Sequence, residues 1–244
     1  MKNIVKTNAV VIRKINYGDT SKIATVFTEK LGKISLIVKG GRSSKSRTGN
    51  VIDIFNVVEI VCNFKETRDI QILSQTELLH YFPKLIEDFN KSKYALAVLE
   101  LINALLPENE PHPLIYKSIE RLFIILNESQ RNPKELFTRF LLFFCKETGY
   151  EFNPEFCTFC GKHVEEFSLY KFNYDYGILC PECSKNKMIS FEFSQELFKI
   201  LKCLSSKNSE TNYRDSDLDT VISFIQRFLN YNIPEFKGLK SLKI

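Results

Sequence analysis

Two pairs of closely spaced cysteines constrain this 244-residue chain more than any other feature. Cys157 and Cys160 form the first pair, Cys180 and Cys183 form the second, and nineteen residues separate the two pairs. A CxxC turn directs two sulfurs toward one point, so two such turns can supply four ligands to a tetrahedral ion. Gly161 follows the first pair and suits the left-handed backbone that such a turn often needs. The pattern predicts one structural Zn²⁺ per chain, with no open position for metal catalysis.

Other chemistries of these cysteines remain alternatives at this point. A redox-active pair is disfavoured because neither pair opens a βαβ pattern, and two disulfides are disfavoured because there is no secretory signal. An iron–sulfur cluster is a further alternative, and His163 could replace one thiolate. Cys62, Cys145 and Cys203 lie in apolar surroundings, which indicates small buried side chains.

Composition and apolar runs exclude several classes of protein. Hydrophobic residues make up 44% of the chain and aromatic residues 13%, enough to build packed cores rather than a disordered protein. The longest apolar run has six residues, and the first six residues contain no hydrophobic signal core. The sequence therefore predicts no membrane span and a cytoplasmic, reducing location, where thiolates are available to a metal.

Positive charge is concentrated near the N-terminus. The net charge is +5, and residues 2–47 contain eleven basic residues against two acidic ones. This one-sided density predicts a surface that binds a polyanion. The candidate contacts to nucleic acid are Arg13, Lys14, Lys22, Lys33, Lys39, Arg42, Lys45 and Arg47. Tyr17, Phe27 and Phe64 could stack on bases, with a place in the core as the alternative for each.

The first 80 residues contain five short segments with strand character. These are residues 9–12, 23–28, 34–39, 52–62 and 70–76. Five strands in about 80 residues are typical of a small barrel of the OB type, with an SH3-like barrel as the alternative. The glycine- and serine-rich loop from Lys39 to Arg47 is the strongest candidate for phosphate contacts, because it lets the backbone approach closely.

After Pro83 the apolar period changes to that of helices. Helices are predicted over 85–106, 111–126, 133–148, 194–204 and 218–229. Gly149 should end the third helix, and Ser216 with Asp219 should cap the last one. The overall prediction is an α+β protein: a five-stranded OB-type barrel (1–80) precedes a helical domain (81–244), which carries the four-cysteine zinc module as an insertion at about 150–190.

Motifs for catalysis are not apparent. The sequence has neither GxxxxGK[ST] nor GxGxxG after a strand, and none of its three histidines stands beside a nucleophile or a carboxylate pair. We therefore expect a protein that binds nucleic acid and is not an enzyme.

Several motifs together resemble the RecO family of recombination mediator proteins. The similarity covers nearly the whole chain, and it is carried by Ala9-Val10-Val11, Tyr17-Gly18-Asp19, Lys39-Gly40-Gly41-Arg42, the two cysteine pairs, Tyr176-Gly177-Ile178-Leu179-Cys180 and Gly238-Leu239-Lys240-Ser241-Leu242-Lys243. The resemblance implies binding of single- and double-stranded DNA, annealing of complementary strands, and a nucleoid-associated location in the cytoplasm. A zinc-ribbon factor of transcription or translation is the alternative.

The resemblance also implies protein partners. These are RecR and the acidic tail of single-stranded DNA-binding protein (SSB), and the work with RecR would load the recombinase RecA onto coated strands. Such a tail needs an apolar pocket with a cationic rim. Lys117 and Arg121 stand four residues apart on one predicted helix, beside Leu114 and Ile125, and these four residues are the candidates for the tail site.

Overall fold

The structure, a computed structural model, describes residues 3–150, 156–163, 169–206 and 213–243. A five-stranded sheet comes first along the chain, and helices with a small three-stranded sheet follow it. The predicted α+β class, with an N-terminal five-stranded sheet followed by helices, is therefore confirmed. Within the described ranges, no helix combines the length and the apolar character that crossing a membrane requires.

The five N-terminal strands form a closed barrel in the order β1-β2-β3-β5-β4. Its strands are β1 (Asn3–Tyr17), β2 (Ser21–Thr28), β3 (Gly32–Val38), β4 (Val57–Phe64) and β5 (Ile70–His80). Neighbouring strands are antiparallel except β3 and β5, which run parallel. Closure pairs every strand on both sides, so the barrel leaves no long unpaired edge.

Strand β1 is much longer than the predicted segment 9–12 because it serves two neighbours. Its first half pairs with β4 and its second half with β2. A bulge between Val11 and Arg13 lets the strand bend from one neighbour to the other. Only residues 9–12 are buried in an unbroken run, which explains why the apolar signal marked that segment alone.

Alternate residues of the strands fill the barrel. On β2 and β3 the inward side chains include Ala24, Val26, Ile34, Leu36 and Val38, and the residues between them are less buried. Cys62 lies in the same core, as predicted, and burial raises the pKa of its thiol.

The predicted strand from Ile52 to Cys62 is wrong in its first part. A short helix, α1 (Arg47–Val51), and a turn precede β4, which begins only at Val57. Ser46 caps α1, because its Oγ accepts a hydrogen bond from the backbone N–H of Gly49 at 3.0 Å. Ile52 is fully buried in the barrel core, so its apolar character reflected burial and not strand structure.

Two helices replace the single helix predicted over 85–106. They are α2 (Pro83–Glu87) and α3 (Phe89–Leu105). Asp88 between them is extended, and its carboxylate accepts hydrogen bonds from the backbone N–H groups of Asn90 at 2.9 Å and Lys91 at 3.1 Å. Asp88 thus caps α3 and separates it from α2. The apolar periodicity alone predicts one continuous helix across this position.

Helix α4 (Pro113–Glu128) agrees closely with the predicted segment 111–126. Its buried stripe includes Ile115, Ile119 and Leu122. Leu114, expected on the buried side, is 59% exposed because it stands one position away from that stripe.

Helices α2 to α4 pack with the barrel in one compact unit, residues 1–133 with 239–244, and residues 134–238 form a second unit. In the first unit, Lys33 Nζ donates to the carbonyl of Asn103 near the end of α3 at 2.8 Å, and the Lys33 carbonyl accepts from Asn109 N–H at 3.0 Å. Gly32 allows this close approach, because a Cβ there would lie 2.1 Å from the Glu110 carbonyl oxygen. The predicted division into an OB-fold domain over residues 1–80 and a helical domain over residues 81–244 stays a prediction.

The second unit combines helices with a three-stranded antiparallel sheet of order β7-β6-β8. Its elements are α5 (Pro133–Glu147), β6 (Leu169–Asn173), β7 (Gly177–Leu179), β8 (Phe191–Ser194), α6 (Gln195–Ser205) and α7 (Asp215–Asn232). Gly149 follows α5 with a φ of +82°, in agreement with its predicted role. The cysteine pairs lie between α5 and α6, and parts of the predicted insertion, 151–155 and 164–168, fall outside the described residues.

Two sequence interpretations in this unit are wrong. Ser216 lies inside the first turn of α7 and does not cap it, whereas Arg214 just before the helix bonds the Asp217 carboxylate at 2.8 Å. Cys203 is only half-buried. Cys145 is buried as expected, and burial raises the pKa of its thiol to about 12.

The last described segment, a 3₁₀ helix over Lys240–Lys243, is anchored to α3 by Glu100. The Glu100 carboxylate accepts hydrogen bonds from the backbone N–H groups of Lys240 at 2.8 Å and Ser241 at 2.9 Å, and the Ser241 hydroxyl donates at 2.8 Å. The first N–H groups of a helix have no partners within it, so one carboxylate satisfies donors that would otherwise need water.

Replacing Glu100 should release this segment. We expect Glu100→Ala to lower the free energy of unfolding by about 1.5–3 kcal/mol, the range for hydrogen bonds to a charged group. Hydrogen exchange at the amides of Lys240 and Ser241 should accelerate. Glu87→Ala, at an exposed glutamate of α2, is the control and should change neither quantity. Unchanged exchange at both amides in Glu100→Ala would contradict the anchor.

Candidate metal centre and nucleic-acid interface

The four cysteines of the two CxxC pairs converge on one point in the second unit. Their sulfur atoms all lie within 4.8 Å of one another, and Cys160 Sγ lies 3.8 Å from Cys180 Sγ. Zinc–sulfur bonds of about 2.3 Å give a tetrahedron whose edges are about 3.8 Å. A disulfide would need about 2.05 Å, and all four cysteines are free thiols. Cys157, Cys160, Cys180 and Cys183 could therefore hold a metal ion.

Backbone geometry positions the sulfurs. Gly161 has a φ of +68°, the left-handed conformation predicted for it, and its N–H bonds the Cys157 carbonyl at 2.9 Å. Cys180 N–H points at Cys157 Sγ, and Cys183 N–H points at Cys180 Sγ, each at 3.3 Å. Such N–H···S contacts stabilise thiolates, which is the form of cysteine that binds metal.

The thiols affect each other's ionisation. Burial raises the pKa of Cys157, but N–H groups of Cys180, Cys160 and Phe159 outweigh it and lower the pKa to about 6. The pKa of Cys183 is raised to about 12, first because its side chain hydrogen-bonds Cys180. Four sulfurs at this spacing cannot all ionise unless a cation offsets their charge, so the donor set fits a thiophilic divalent ion.

His163 lies beside the centre but does not join it. Its ring makes an edge-to-face contact with Phe156, with centroids 5.0 Å apart. Among the described residues, the group of converging metal-ligating atoms consists of the four sulfurs. The alternative in which this histidine replaces a thiolate therefore finds no support in the geometry.

The basic loop, Lys39–Arg47, is a folded connection between β3 and α1. Its Arg42 N–H donates to the Thr20 carbonyl at 3.0 Å, which fixes it against the β1–β2 turn. Gly49 packs directly on the loop, because a Cβ at that position would lie 2.2 Å from the Gly41 carbonyl oxygen. The loop therefore presents its side chains from a defined backbone.

The eight predicted basic contacts separate into two groups of four. In the described part of the chain, Arg13, Lys39, Lys45 and Arg47 are exposed and make no side-chain ion pair or hydrogen bond. The others are engaged within the protein. Lys14 pairs with Asp53 at 2.5 Å, Lys22 donates to the Gly49 carbonyl at 3.2 Å, Arg42 donates to the Gly18 carbonyl at 2.5 Å, and Lys33 donates to Asn103.

Lys33 does not belong to an exposed basic surface. Its side chain is buried at the junction of the barrel and α3, and burial lowers the pKa of its ammonium group. Lys33 was predicted as a DNA contact because it lies in the basic N-terminal segment of the sequence. The density of charge along a sequence does not indicate which of the charged side chains are buried.

The three aromatic rings predicted to stack on bases differ in their exposure. Tyr17 is 52% exposed at the β1–β2 turn, whereas Phe27 and Phe64 are buried in the first unit. Of the three, only Tyr17 is accessible to a base.

The four candidate residues for the SSB tail occupy one face of α4, at intervals of three, four and four residues. Leu114 and Arg121 are exposed and Ile125 is half-buried. Lys117 is exposed and lies 3.7 Å from the Glu29 carboxylate.

An exposed aromatic pair beside the metal centre was not predicted from the sequence. Phe159 and Tyr176 are 51% and 43% exposed, with ring centroids 5.4 Å apart. Lys187 Nζ lies 3.8 Å from the first centroid and 4.4 Å from the second. The sequence position of Phe159, between the two cysteines of a CxxC pair, could have predicted its exposure, because such a turn position faces solvent.

These features define a class of protein. A closed barrel with exposed cations on one folded loop is followed, in the chain, by a helical unit with a four-cysteine centre that could hold a metal ion. Two family models match the chain in this order: "Recombination protein O N terminal" over residues 1–82 and "Recombination protein O C terminal" over residues 86–243. The chain belongs to the RecO family.

Curated relatives support the same assignment. A "DNA repair protein RecO" of Clostridium novyi is 27% identical over 244 residues, covering 99% of this chain and 93% of the relative. The protein of that name from Clostridium acetobutylicum is 26% identical and covers 99% and 98%. The one from Clostridium kluyveri is 29% identical and covers 86% and 80%.

We predict that the four sulfurs bind metal and that binding stabilises the second unit. Cys157→Ser should abolish stoichiometric metal content and lower the stability of residues 134–238, because metal-binding free energy at such a centre is largely folding free energy. Cys203→Ser, outside the cluster, is the control and should retain the metal. Metal analysis together with chemical unfolding tests this, and a well-folded wild-type chain without metal would contradict it.

Proposed function

We propose that this protein is a DNA-binding recombination mediator. It anneals complementary single strands and helps to load a recombinase onto strands coated by SSB. Membership of the RecO family and the names of its relatives support this role. The observation that carries the proposal is the set of four exposed cations, Arg13, Lys39, Lys45 and Arg47, which have no internal partner among the described residues.

The barrel is assigned to the OB type. The closed order β1-β2-β3-β5-β4, the parallel β3–β5 pair and a helix between β3 and β4 support this assignment over an SH3-like barrel. OB barrels bind strands on the face around strands 2 and 3 and on neighbouring loops. The basic loop directly follows β3, so its cations border that face.

Electrostatics can account for annealing without catalytic residues. Two phosphate backbones repel each other, and cations that neutralise part of that charge release counterions and lower the cost of approach. Base pairing then supplies the favourable free energy. We therefore propose that the protein is a mediator and not an enzyme. Its proposed location is the cytoplasm, in association with the DNA of the nucleoid.

A structural Zn²⁺ is the proposed metal. Cys157, Cys160, Cys180 and Cys183 would hold it, and a four-thiolate site supplies cross-linking and no open coordination position. The 3.8 Å sulfur spacing and the N–H···S contacts support this proposal. Lys162, whose Nζ lies 3.3 Å from the Glu182 carboxylate, stands beside the centre and partly offsets its negative charge.

RecR and the SSB tail are the proposed protein partners. The α4 face with Leu114, Lys117, Arg121 and Ile125 combines exposed cations with apolar side chains, as an acidic tail with an apolar end requires. Lys117 already neighbours Glu29, so Arg121 is the cation more available to such a tail.

Removing two loop cations should weaken DNA binding in a salt-dependent way. We expect Lys39→Gln/Lys45→Gln to lower affinity for all duplex sequences alike and to reduce the slope of log affinity against log salt by about 1.8, because each phosphate contact contributes about 0.9. Lys84→Gln/Lys199→Gln removes the same charge at exposed sites of α2 and α6 and should change the slope little. An unchanged slope in the loop variant would remove these lysines from the interface.

Strand annealing separates the proposed role from the alternative one. Complementary oligonucleotides, bare or coated with SSB, should anneal faster with the wild-type chain than with Lys39→Gln/Lys45→Gln. A zinc-ribbon factor of transcription or translation would instead prefer RNA or a defined sequence in competition binding. Preference for RNA without annealing would reject the mediator role.

The partner site has its own test. Arg121→Ala should weaken binding of an SSB tail peptide roughly 10- to 150-fold, the effect of losing one hydrogen bond to a charged group. Binding to naked DNA should stay the same. Lys84→Ala is the matched control on α2, and wild-type peptide affinity of Arg121→Ala in calorimetry would exclude Arg121 from the site.

A further inference from the structure

The exposed pair of rings beside the metal centre is not part of the hydrophobic core. Buried side chains, among them Tyr170, Phe172, Ile178 and Phe193, fill the core next to the three-stranded sheet, whereas Phe159 and Tyr176 stand outside it. Two large exposed rings in contact increase the apolar surface facing water without contributing to this core. The exposed position of these two rings therefore favours a role in binding a ligand over a role in packing the core.

The two rings are held on turns that are fastened to each other. Thr158 donates to the Ile178 carbonyl through both its N–H and its Oγ1, each at 3.0 Å. Asn173 Oδ1 accepts from the N–H groups of Asp175 at 2.7 Å and Tyr176 at 3.1 Å, which orders the β6–β7 turn. The platform is thus preorganised, which reduces the entropy that a ligand must overcome.

The ammonium group of Lys187, which lies over both rings, is available to an anion. Within residues 156–163 and 169–194, each carboxylate has an internal partner: Asp175 with Tyr231, Glu182 with Lys162, and Glu192 with Lys171. In the same ranges Lys185 and Lys187 have no carboxylate partner. Lys187 Nζ lies over both rings and makes no salt bridge to any described residue, so an anion that draws this ammonium group away breaks an exposed cation–π contact and no described salt bridge.

We propose that Phe159, Tyr176 and Lys187 form a second nucleic-acid site, which binds an unpaired base on the rings and an adjacent phosphate on the ammonium group. The inference rests on the proposed function in DNA binding and extends it to the metal-binding module. Single-stranded nucleic acid fits because aromatic rings accept any unstacked base while lysines follow the backbone. Bases in a duplex are already stacked, so this site should discriminate single strands from duplex.

A tryptophan reporter tests the site directly, because the chain contains no Trp. Phe159→Trp should bind oligothymidylate and show quenched fluorescence on binding. Phe156→Trp is the matched control. Its ring is 53% exposed and contacts His163, and no ammonium group of the described residues lies over it, so it should show little quenching. Absent quenching in Phe159→Trp, or equal quenching in both variants, overturns the proposal.

Affinities give the second readout. Phe159→Ala should weaken oligothymidylate binding roughly 5- to 150-fold, the range for one stacked base, and leave duplex affinity and metal content unchanged. Lys187→Gln should reduce the single-strand salt slope by about 0.7. Phe156→Ala, with the same change in size, should retain wild-type affinity for both ligands.

The outcomes distinguish this inference from the proposed function. Unchanged single-strand affinity of Phe159→Ala, in a chain that still binds duplex through its loop cations, rejects the ring site alone. A wild-type chain that binds neither duplex nor single strand rejects both. If an acidic peptide quenches Phe159→Trp and oligothymidylate does not, the surface is a peptide site and the nucleic-acid assignment is wrong.

Discussion

The pairing of β3 with β5 determines how the first unit is built. Because β5 and not β4 lies beside β3, the chain that leaves β3 must cross one end of the barrel before β4 can begin between β1 and β5. Residues 39–56 make this crossing. Their inner side supplies Ile52 to the core, and their outer side carries Lys39, Lys45 and Arg47. The basic loop is therefore a consequence of barrel topology, and the same crossing closes the core and creates the exposed charge.

Sequence reasoning succeeded where a residue type has few structural uses. Four cysteines in two CxxC pairs have almost no reason to converge except a shared ion, and their sulfurs do converge. It failed where a local hydrogen bond overrides periodicity. Asp88 divides one apolar pattern into two helices by capping the second, and Ser46 starts a helix in a segment that reads as strand. Neither the apolar period nor the composition contains that information.

Charge patterns have a related limit. Eleven basic residues near the N-terminus indicate a polyanion surface, but a lysine can also serve the fold. Lys33 donates to the Asn103 carbonyl near the C-terminal end of α3, where the helix dipole favours a cation. Its ammonium group is therefore not available to bind a ligand. For the exposed rings the default expectation fails in the opposite direction, because a residue type that is usually buried is exposed. Aromatic residues are assigned to cores by default, and Phe159 and Tyr176 are not buried.

The Glu100 anchor has a consequence for the length of the chain between the two parts of the first unit. Residues 134–238 leave that unit at α5 and return to it at the segment held by Glu100, so they behave as one long loop in its closure. The entropy of closing a loop grows only with the logarithm of its length, and doubling the length costs about 0.6 kcal/mol. A change in the length of the second unit should thus alter the closure entropy of the first unit only slightly, provided that the short anchored segment is kept.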